Sequence, residues 1–429
     1  MPNASLTTRQ AAFIGVGAMV GAGIFSLLGA AGEVAGAAVW VSFLIAGIVA
    51  MLQGYSFAKF GARFPTAGGL LEYVGRGFGN GHLVGIVGWL LLAANAIVTA
   101  MVAVSFGSYA SSAFTDGDDG WVAPFAVLLI LAMTALNIVG SQAVAKAQTV
   151  IVYVVLGILT LFAVSTLANL DLDLLDPSGY PEFADIISAV ALTFFAFLGF
   201  GVVTFTAKDL RDPAHQLPRA MYLALGIATV IYVAVALGVF GTLSVQEVIS
   251  AGPTALAVAA EPTLGRAGYW LMTVTGLFAT TGATNAGLYP AAGLCEHMVG
   301  KAQFPPLLGR RFGGRAPAGL LLTAAIAIVL AAFFDLSSIA SIGSAIALMV
   351  FTLVSVAHVR AREETGANLA MLLIAIGSTV VVLVSFALTT LVDEPGTAVA
   401  IVLITVVSVL LDLATKRRVA TAPSEEAGV

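Results

Sequence analysis

The residues GVGAMVGAGIF, 15 to 25, put Gly15, Gly17, Gly21 and Gly23 into an apolar stretch where an unbroken membrane helix would carry bulky side chains. Glycine loses the most backbone entropy in a helix, and its missing Cβ lets another backbone or a ligand come very close. In a bilayer a non-helical break survives only where it lines a cavity or is buried in protein. The run is therefore a candidate binding site at membrane depth. A second apolar stretch, FFAFLGFG at 194 to 201, is interrupted in the same way by Gly199 and Gly201. Small-xxx-small helix packing is the competing explanation for such glycines, and Gly17 and Gly21 have that spacing.

The elements that carry these runs belong to a polytopic membrane protein. The chain has 429 residues, of which 59% are hydrophobic and 10% charged, and its mean hydropathy is +1.03. Those values lie far outside soluble globular usage. No short apolar region followed by a cleavage site precedes the first span, so the N-terminus is expected to remain. The single cysteine, Cys295, excludes an intrachain disulfide and a cysteine-built metal site. Spans of roughly 20 apolar residues are predicted at twelve places, centred near residues 20, 45, 98, 131, 158, 195, 230, 282, 326, 348, 380 and 404. With that count 17 of the 18 Lys and Arg fall on one side and only Arg266 opposite, which by the positive-inside rule makes both termini cytoplasmic. Trp40, Trp89, Trp121 and Trp270 stand near predicted span ends, as interfacial anchors would.

The two interrupted spans are the first and the sixth, so a duplicated five-span unit would have opposite orientations in its two copies. The longest connections, about residues 59 to 82 and 243 to 267, follow spans 2 and 7 and lie on opposite faces; each has room for a short surface helix. Paired interruptions at matching positions are the best sequence pointer to the substrate site of an inverted-repeat transporter. The expected division is residues 1–170 for the first repeat, 171–362 for the inverted repeat, 363–416 for two accessory spans, and 417–429 for a cytoplasmic tail.

GVGAMVGAGIF followed by ARFPTAGGLLEYVGRGFG (62 to 79) closely resembles the amino acid–polyamine–organocation permeases. The likeness continues through AKDLRDPAHQLPRAM (207 to 221) and through TNAGLYPAAGLCEHMVGKAQFPPLLGRRF at the end of span 8. The resemblance covers spans 1 to 10 and implies a leucine-transporter-type fold of five plus five inverted helices, with alternating access to a central site in the plasma (inner) membrane.

A break around Val20, Gly21, Ala22 and Gly23, running on to Ile24, frees amide N–H groups at the start of a second half-helix, whose positive dipole end suits a carboxylate. Freed carbonyls there, and near Leu198, Gly199, Phe200 and Gly201, suit an ammonium group. An α-amino acid satisfies both. By the resemblance, Phe195, Phe197, Leu198 and Phe200 contact the substrate side chain or gate it; aromatic packing against core or lipid is the alternative. Asn95 and Thr99 stand one helical turn apart on span 3 and are candidates to face the substrate, while Gln53 on span 2 reads as an interhelical hydrogen-bonding residue.

Two departures bear on energy coupling. Gly201 stands where many relatives carry Glu, and Val155 stands close to where proton-coupled relatives carry a lysine. Acidic and basic residues are missing from the predicted span centres, where a proton relay would be conspicuous. Transport is then expected to be facilitated, exchange-driven, or coupled through neutral oxygens. Thr280, Thr281 and Thr284 on span 8 are the possible ion ligands, with bonding back to their own helix as the alternative. No cofactor is expected beyond such an ion, Na+ or H+. The expected partners are a small-molecule amino acid and membrane lipid, with no nucleic acid, in a monomer or homodimer. A pocket without buried charge favours neutral amino acids over arginine or polyamines. An amine or other organic-cation permease of the same fold and a nutrient sensor that binds without transporting remain the alternatives. A major-facilitator layout would not repeat on a five-span period, a channel would need a filter motif, and the four histidines, on separate connections, do not form an enzyme's metal site.

Overall fold

The computed structural model describes residues 6–21, 23–64, 69–139, 142–389, 392 and 394–421. The chain is predominantly helical, and the starts of several helices can be traced to their local sequence. Helix α1 (Thr8–Val20) opens on a capping box, Thr7 accepting from the Gln10 amide while the Gln10 side chain accepts from Thr7 N. It stops at Gly21, and after the break the chain resumes as α2 (Leu28–Ala35) and α3 (Val39–Arg63). The short amphipathic α4 (Gly69–Phe78) precedes α5 (His82–Phe114), α6 (Val122–Val139) and α7 (Gln142–Ala168). Helix α8 (Phe183–Phe194) then tightens into a 3₁₀ segment, Phe195–Gly201, before α9 (Val202–Phe205).

Pro213 occupies the first turn of α10 (Pro213–Phe240), where its missing N–H costs nothing. A second capping box, Ser244 with Glu247, starts α11 (Val245–Ala251). Helix α12 (Ala255–Gly300) bends at Gly265, whose φ of 68° only glycine adopts freely. A two-stranded ribbon, residues 311–312 against 316–317, leads to α13 (Ala318–Phe333). Asp335 caps α14 (Leu336–Arg360), accepting from Ser338 N at 2.8 Å. The chain ends with α15 (Arg362–Thr365), α16 (Leu369–Leu388) and α17 (Pro395–Thr421). Helix α17 runs five residues past the predicted boundary at 416.

Among the described residues, nine helical segments are long and apolar enough to cross a bilayer. Three of the predicted spans fall short for identifiable reasons. Helix α1 ends at its break after 13 residues and α13 has 16, while α12 is long but carries the polar run TVTGLFATTGATNAG at 273 to 287. Each of the two long connections holds a short helix, α4 and α11. Packing joins α3 to α10 and α5 to α12. Helix α1 lies on α10 as α8 lies on α3, α5 meets α6 as α12 meets α13, and α7 contacts α12 as α14 contacts α5.

Hydrogen bonds tie α16 to this body. Gln53 Nε2 donates to the Ala375 carbonyl at 2.8 Å, and Ser355 Oγ donates to Gln53 Oε1 at 2.7 Å, so Gln53 links α3, α14 and α16. Trp89 departs from the anchor role: it is buried and stacks on Phe304, ring centroids 4.0 Å apart. Trp121 and Trp270 are exposed, and Trp40 donates to the Tyr180 hydroxyl at 2.9 Å.

Candidate functional site

Gly21 and Gly23 are glycine for a steric reason. A Cβ at Gly21 would lie 2.6 Å from the Ala279 carbonyl oxygen, and one at Gly23 would overlap the Ala196 backbone. From the other side, a Cβ at Gly199 would overlap the backbone of Ala18 and come within 2.7 Å of Met19 N. The end of α1 and the 3₁₀ segment after α8 therefore touch backbone to backbone. Close packing and a broken helix occur together here, because the break needs the approach that the glycines permit. Ala22 lies outside the described residues.

The break itself is short. Ser26 N and Leu27 N both donate to the Gly23 carbonyl at 3.1 Å, turning the chain into α2. Leu27 at the N-cap supplies no side-chain acceptor, so the first amides of α2 meet no capping side chain. The first turn of α2 packs instead on the Gly252 backbone, which a Cβ at Gly29 would approach to 2.7 Å. Val20 and Ile24 are buried on either side of the break.

The sixth span is wound more tightly than a simple break. Seven residues in 3₁₀ form exceed the usual three or four, a feature that often marks a hinge. Four of its carbonyls are engaged: Ala196 O accepts from the Tyr232 hydroxyl at 3.1 Å, Gly201 O accepts from Thr204 Oγ1 at 2.6 Å, and Gly199 O and Phe200 O both accept from Val202 N. The expectation of open carbonyls from Leu198 to Gly201 is thus corrected at Gly199, Phe200 and Gly201. The phenylalanines separate by partner. Phe200 packs between Phe57 and Phe351, centroids 5.1 and 5.3 Å away, and Phe197 meets Tyr232 at 5.1 Å, so both belong to the core. Phe195 is fully buried against α14 and α5, and Leu198 alone of the four retains exposure.

Beside the break, Val20, Gly21, Val155, Ala279, Gly282 and Ala283 line a cavity shared by α1, α7 and α12. Its lining side chains are apolar. The threonines of α12 are turned into their own helix: Thr280 Oγ1 donates to Gly276 O at 2.6 Å, Thr281 Oγ1 to Leu277 O at 2.7 Å, and Thr284 Oγ1 to Thr280 O at 2.9 Å. The structure does not bring them to α1; Ala279 and Ala283 hold that face. Thr99 is likewise bonded back to its own helix. Its hydroxyl donates to Asn95 O at 2.7 Å and lies against Gly287 of α12, while Asn95 is half-buried.

Residues 6–411 match the family model described as amino acid permease. The chain belongs to that family. It is 33% identical to the inner membrane transport protein YbaT of Escherichia coli K12 over 84% of each chain. It is 26% identical to the methylthioribose transporter of Bacillus subtilis, covering 84% of this chain and 81% of that one. Similarity to the vacuolar cationic amino acid transporter 2 of Arabidopsis thaliana is 28% identity, over 82% of this chain and 59% of the relative. The family and these relatives are transporters, and their named substrates differ.

Sequence reasoning missed Asp412. It is fully buried on α17, 2.5 Å from His82 Nδ1, and Lys416 Nζ stands 3.7 Å from its other oxygen. Gly85 makes the room, since a Cβ there would overlap that carboxylate. The signal was available as a lone Asp in an apolar run, four residues before Lys416. On the same face Lys301 donates to Glu72 at 2.7 Å and holds its carboxyl below the ordinary value of 4.5. Glu296 pairs with Arg311 at 2.8 Å, in keeping with a solvated role.

Proposed function

We propose that this protein is a secondary transporter of neutral L-amino acids, working by alternating access around the breaks that follow α1 and α8. The observation that carries this reading is the backbone contact between Gly23 and Ala196, matched by that between Gly199 and Ala18. It supports a site at the break after α1, where the backbone leading into the uncapped α2 and the backbone of the 3₁₀ turn would together hold a zwitterion. Val20, Ile24, Phe195 and Leu198 around that place are uncharged, which favours a neutral side chain over a cationic one.

The helix packing supports twelve spans in two inverted repeats with α16 and α17 as accessories. Exchanging α1, α3, α5, α6 and α7 for α8, α10, α12, α13 and α14 leaves the α3–α10 and α5–α12 pairs unchanged and converts each other packing pair described above into its counterpart. The repeats would then be residues 1–170 and 171–362, and the segregation of Lys and Arg supports cytoplasmic termini in a plasma membrane. The apolar cavity at Val155 favours exchange or facilitated movement over ion coupling.

Thermal shift of the purified protein against the twenty amino acids and common amines tests the substrate, because a ligand of the folded state raises apparent stability. A neutral amino acid is expected to give the largest shift; an amine in that place would overturn the neutral reading. Proteoliposomes loaded with the unlabelled ligand should then take up the labelled one without any ion gradient. Strong accumulation driven by a proton or sodium gradient would overturn exchange, and binding without flux would mark a sensor.

A further inference from the structure

Gly343 is the one glycine in α14, in the interior of a 25-residue helix where glycine is locally unfavourable. Its surroundings explain it. A Cβ built there would lie 2.5 Å from Cε2 of Phe195 and 2.8 Å from Cγ2 of Ile97. The Phe195 ring therefore lies flush on the α14 backbone with Ile97 of α5 beside it, and both side chains are buried. Phe195 is also the residue at which α8 gives way to the 3₁₀ segment, and its neighbour Ala196 is the one that touches Gly23. One ring thus joins the segment in contact with the α1 break to two helices, α5 and α14, that lie across from it.

We propose that Gly343 is a positioning residue: its bare backbone is a seat that holds the Phe195 ring of the 3₁₀ segment against α14, latching the site shut. This rests on the alternating-access reading above, because any rocking of α1 and α8 against α5 and α14 must withdraw the ring from that seat. A methyl group at 343 denies the ring its seat without adding charge or breaking a hydrogen bond. The latched state then loses population, and the break becomes reachable from the side to which α2 leads.

The test uses Ser26→Cys as a reporter, since Ser26 stands at the break and is 1% exposed, in a Cys295→Ala background. The full chain in oriented membrane vesicles is treated with a membrane-impermeant maleimide. Gly343→Ala is expected to speed labelling by about tenfold, the response to a modest population shift. Phe195→Leu should speed it similarly, and in an Ile97→Ala background, which removes the other side chain that a Cβ at 343 would strike, adding Gly343→Ala to Phe195→Leu should produce no further change. Gly377→Ala on α16, where a Cβ meets nothing within 4 Å, controls for a glycine replaced in a helix and should leave labelling at the parent rate. Unchanged labelling in Gly343→Ala, or an equal increase with and without the Phe195 ring, overturns the proposal. Melting temperatures identify any variant that labels quickly only because it unfolds; should Gly343→Ala be one, Phe195→Leu, which removes the ring without adding a clash, carries the test, and parent-rate labelling there overturns the latch. Because labelling needs no substrate, a latch that behaves as expected while no amino acid shifts the melting temperature would separate failure of the substrate reading from failure of the latch.

Discussion

At the scale of single residues, the glycines divide by what their missing Cβ admits. Gly23 and Gly199 admit a backbone, and Gly21 a carbonyl oxygen, whereas the nearest atom to a Cβ at Gly201 is Phe57 Cε1 at 3.9 Å. Gly201→Ala is therefore expected to leave melting temperature and uptake unchanged. Gly23→Ala and Gly199→Ala should each cost about 1–3 kcal/mol through overpacking, read as a lowered melting temperature with lost uptake. Equal effects at all three positions would show that the close approach is not what the glycines serve. The motif GVGAMVGAGIF pointed to both a break and a packing motif, and both are present, since α1 ends at Gly21 and the chain packs on the Ala196 backbone at Gly23. Which phenylalanine faces what was not legible, because Phe195, Phe197 and Phe200 differ only in the helices that the fold brings to them.

At the scale of elements, α12 shows how a helix face decides chemistry. Its threonine-rich sequence suggested ion ligands, but the face that meets α1 is Ala279 and Ala283, and the hydroxyls of Thr280, Thr281 and Thr284 are already bonded to their own helix. Replacing all three with Val, which conserves shape, should leave uptake independent of sodium as in the parent; a sodium dependence present in the parent and abolished in the variant would restore the ion site. Helix α17 depends on a different contact. Asp412→Ala leaves His82 and Lys416 without their shared carboxylate. Because His82 is more than half exposed, the cost should stay at about 1–2 kcal/mol, below that of breaking a fully buried pair. Hydrogen exchange over residues 395–417 should rise in the variant, and exchange that stays at the parent level would mean that apolar contacts alone hold α17.

At the scale of the whole molecule, ion pairs fasten one face of the helical body, and their pH response has a definite sign. Lys301 depresses the Glu72 carboxyl below 4.5, so its contribution is present at neutral pH and is lost as pH falls through the depressed value. Glu72→Gln is expected to lower stability at pH 7 by about 1 kcal/mol, a partly exposed pair being worth little more. The difference from the parent should vanish in acid. A difference that persists below that range would place the effect in packing rather than charge. This tie joins α4 to the turn after α12, two elements separated by more than two hundred residues, so its stabilisation depends on the assembled body.

The sequence by itself determined that the chain is a polytopic helical membrane protein of the amino acid permease family, and where its helices lie. Hydropathy over a span length, capping residues and glycine runs are local properties, and the bilayer obliges each apolar segment to satisfy its own backbone. Only the tertiary structure decided which side of each helix meets which neighbour. That choice put Phe195 on Gly343, turned Thr280 away from α1, buried Asp412 against Gly85, and wound Phe195–Gly201 into a 3₁₀ turn. In a helix apolar on every side the sequence carries little periodicity to orient it, so rotation and register are set by steric fit between distant segments.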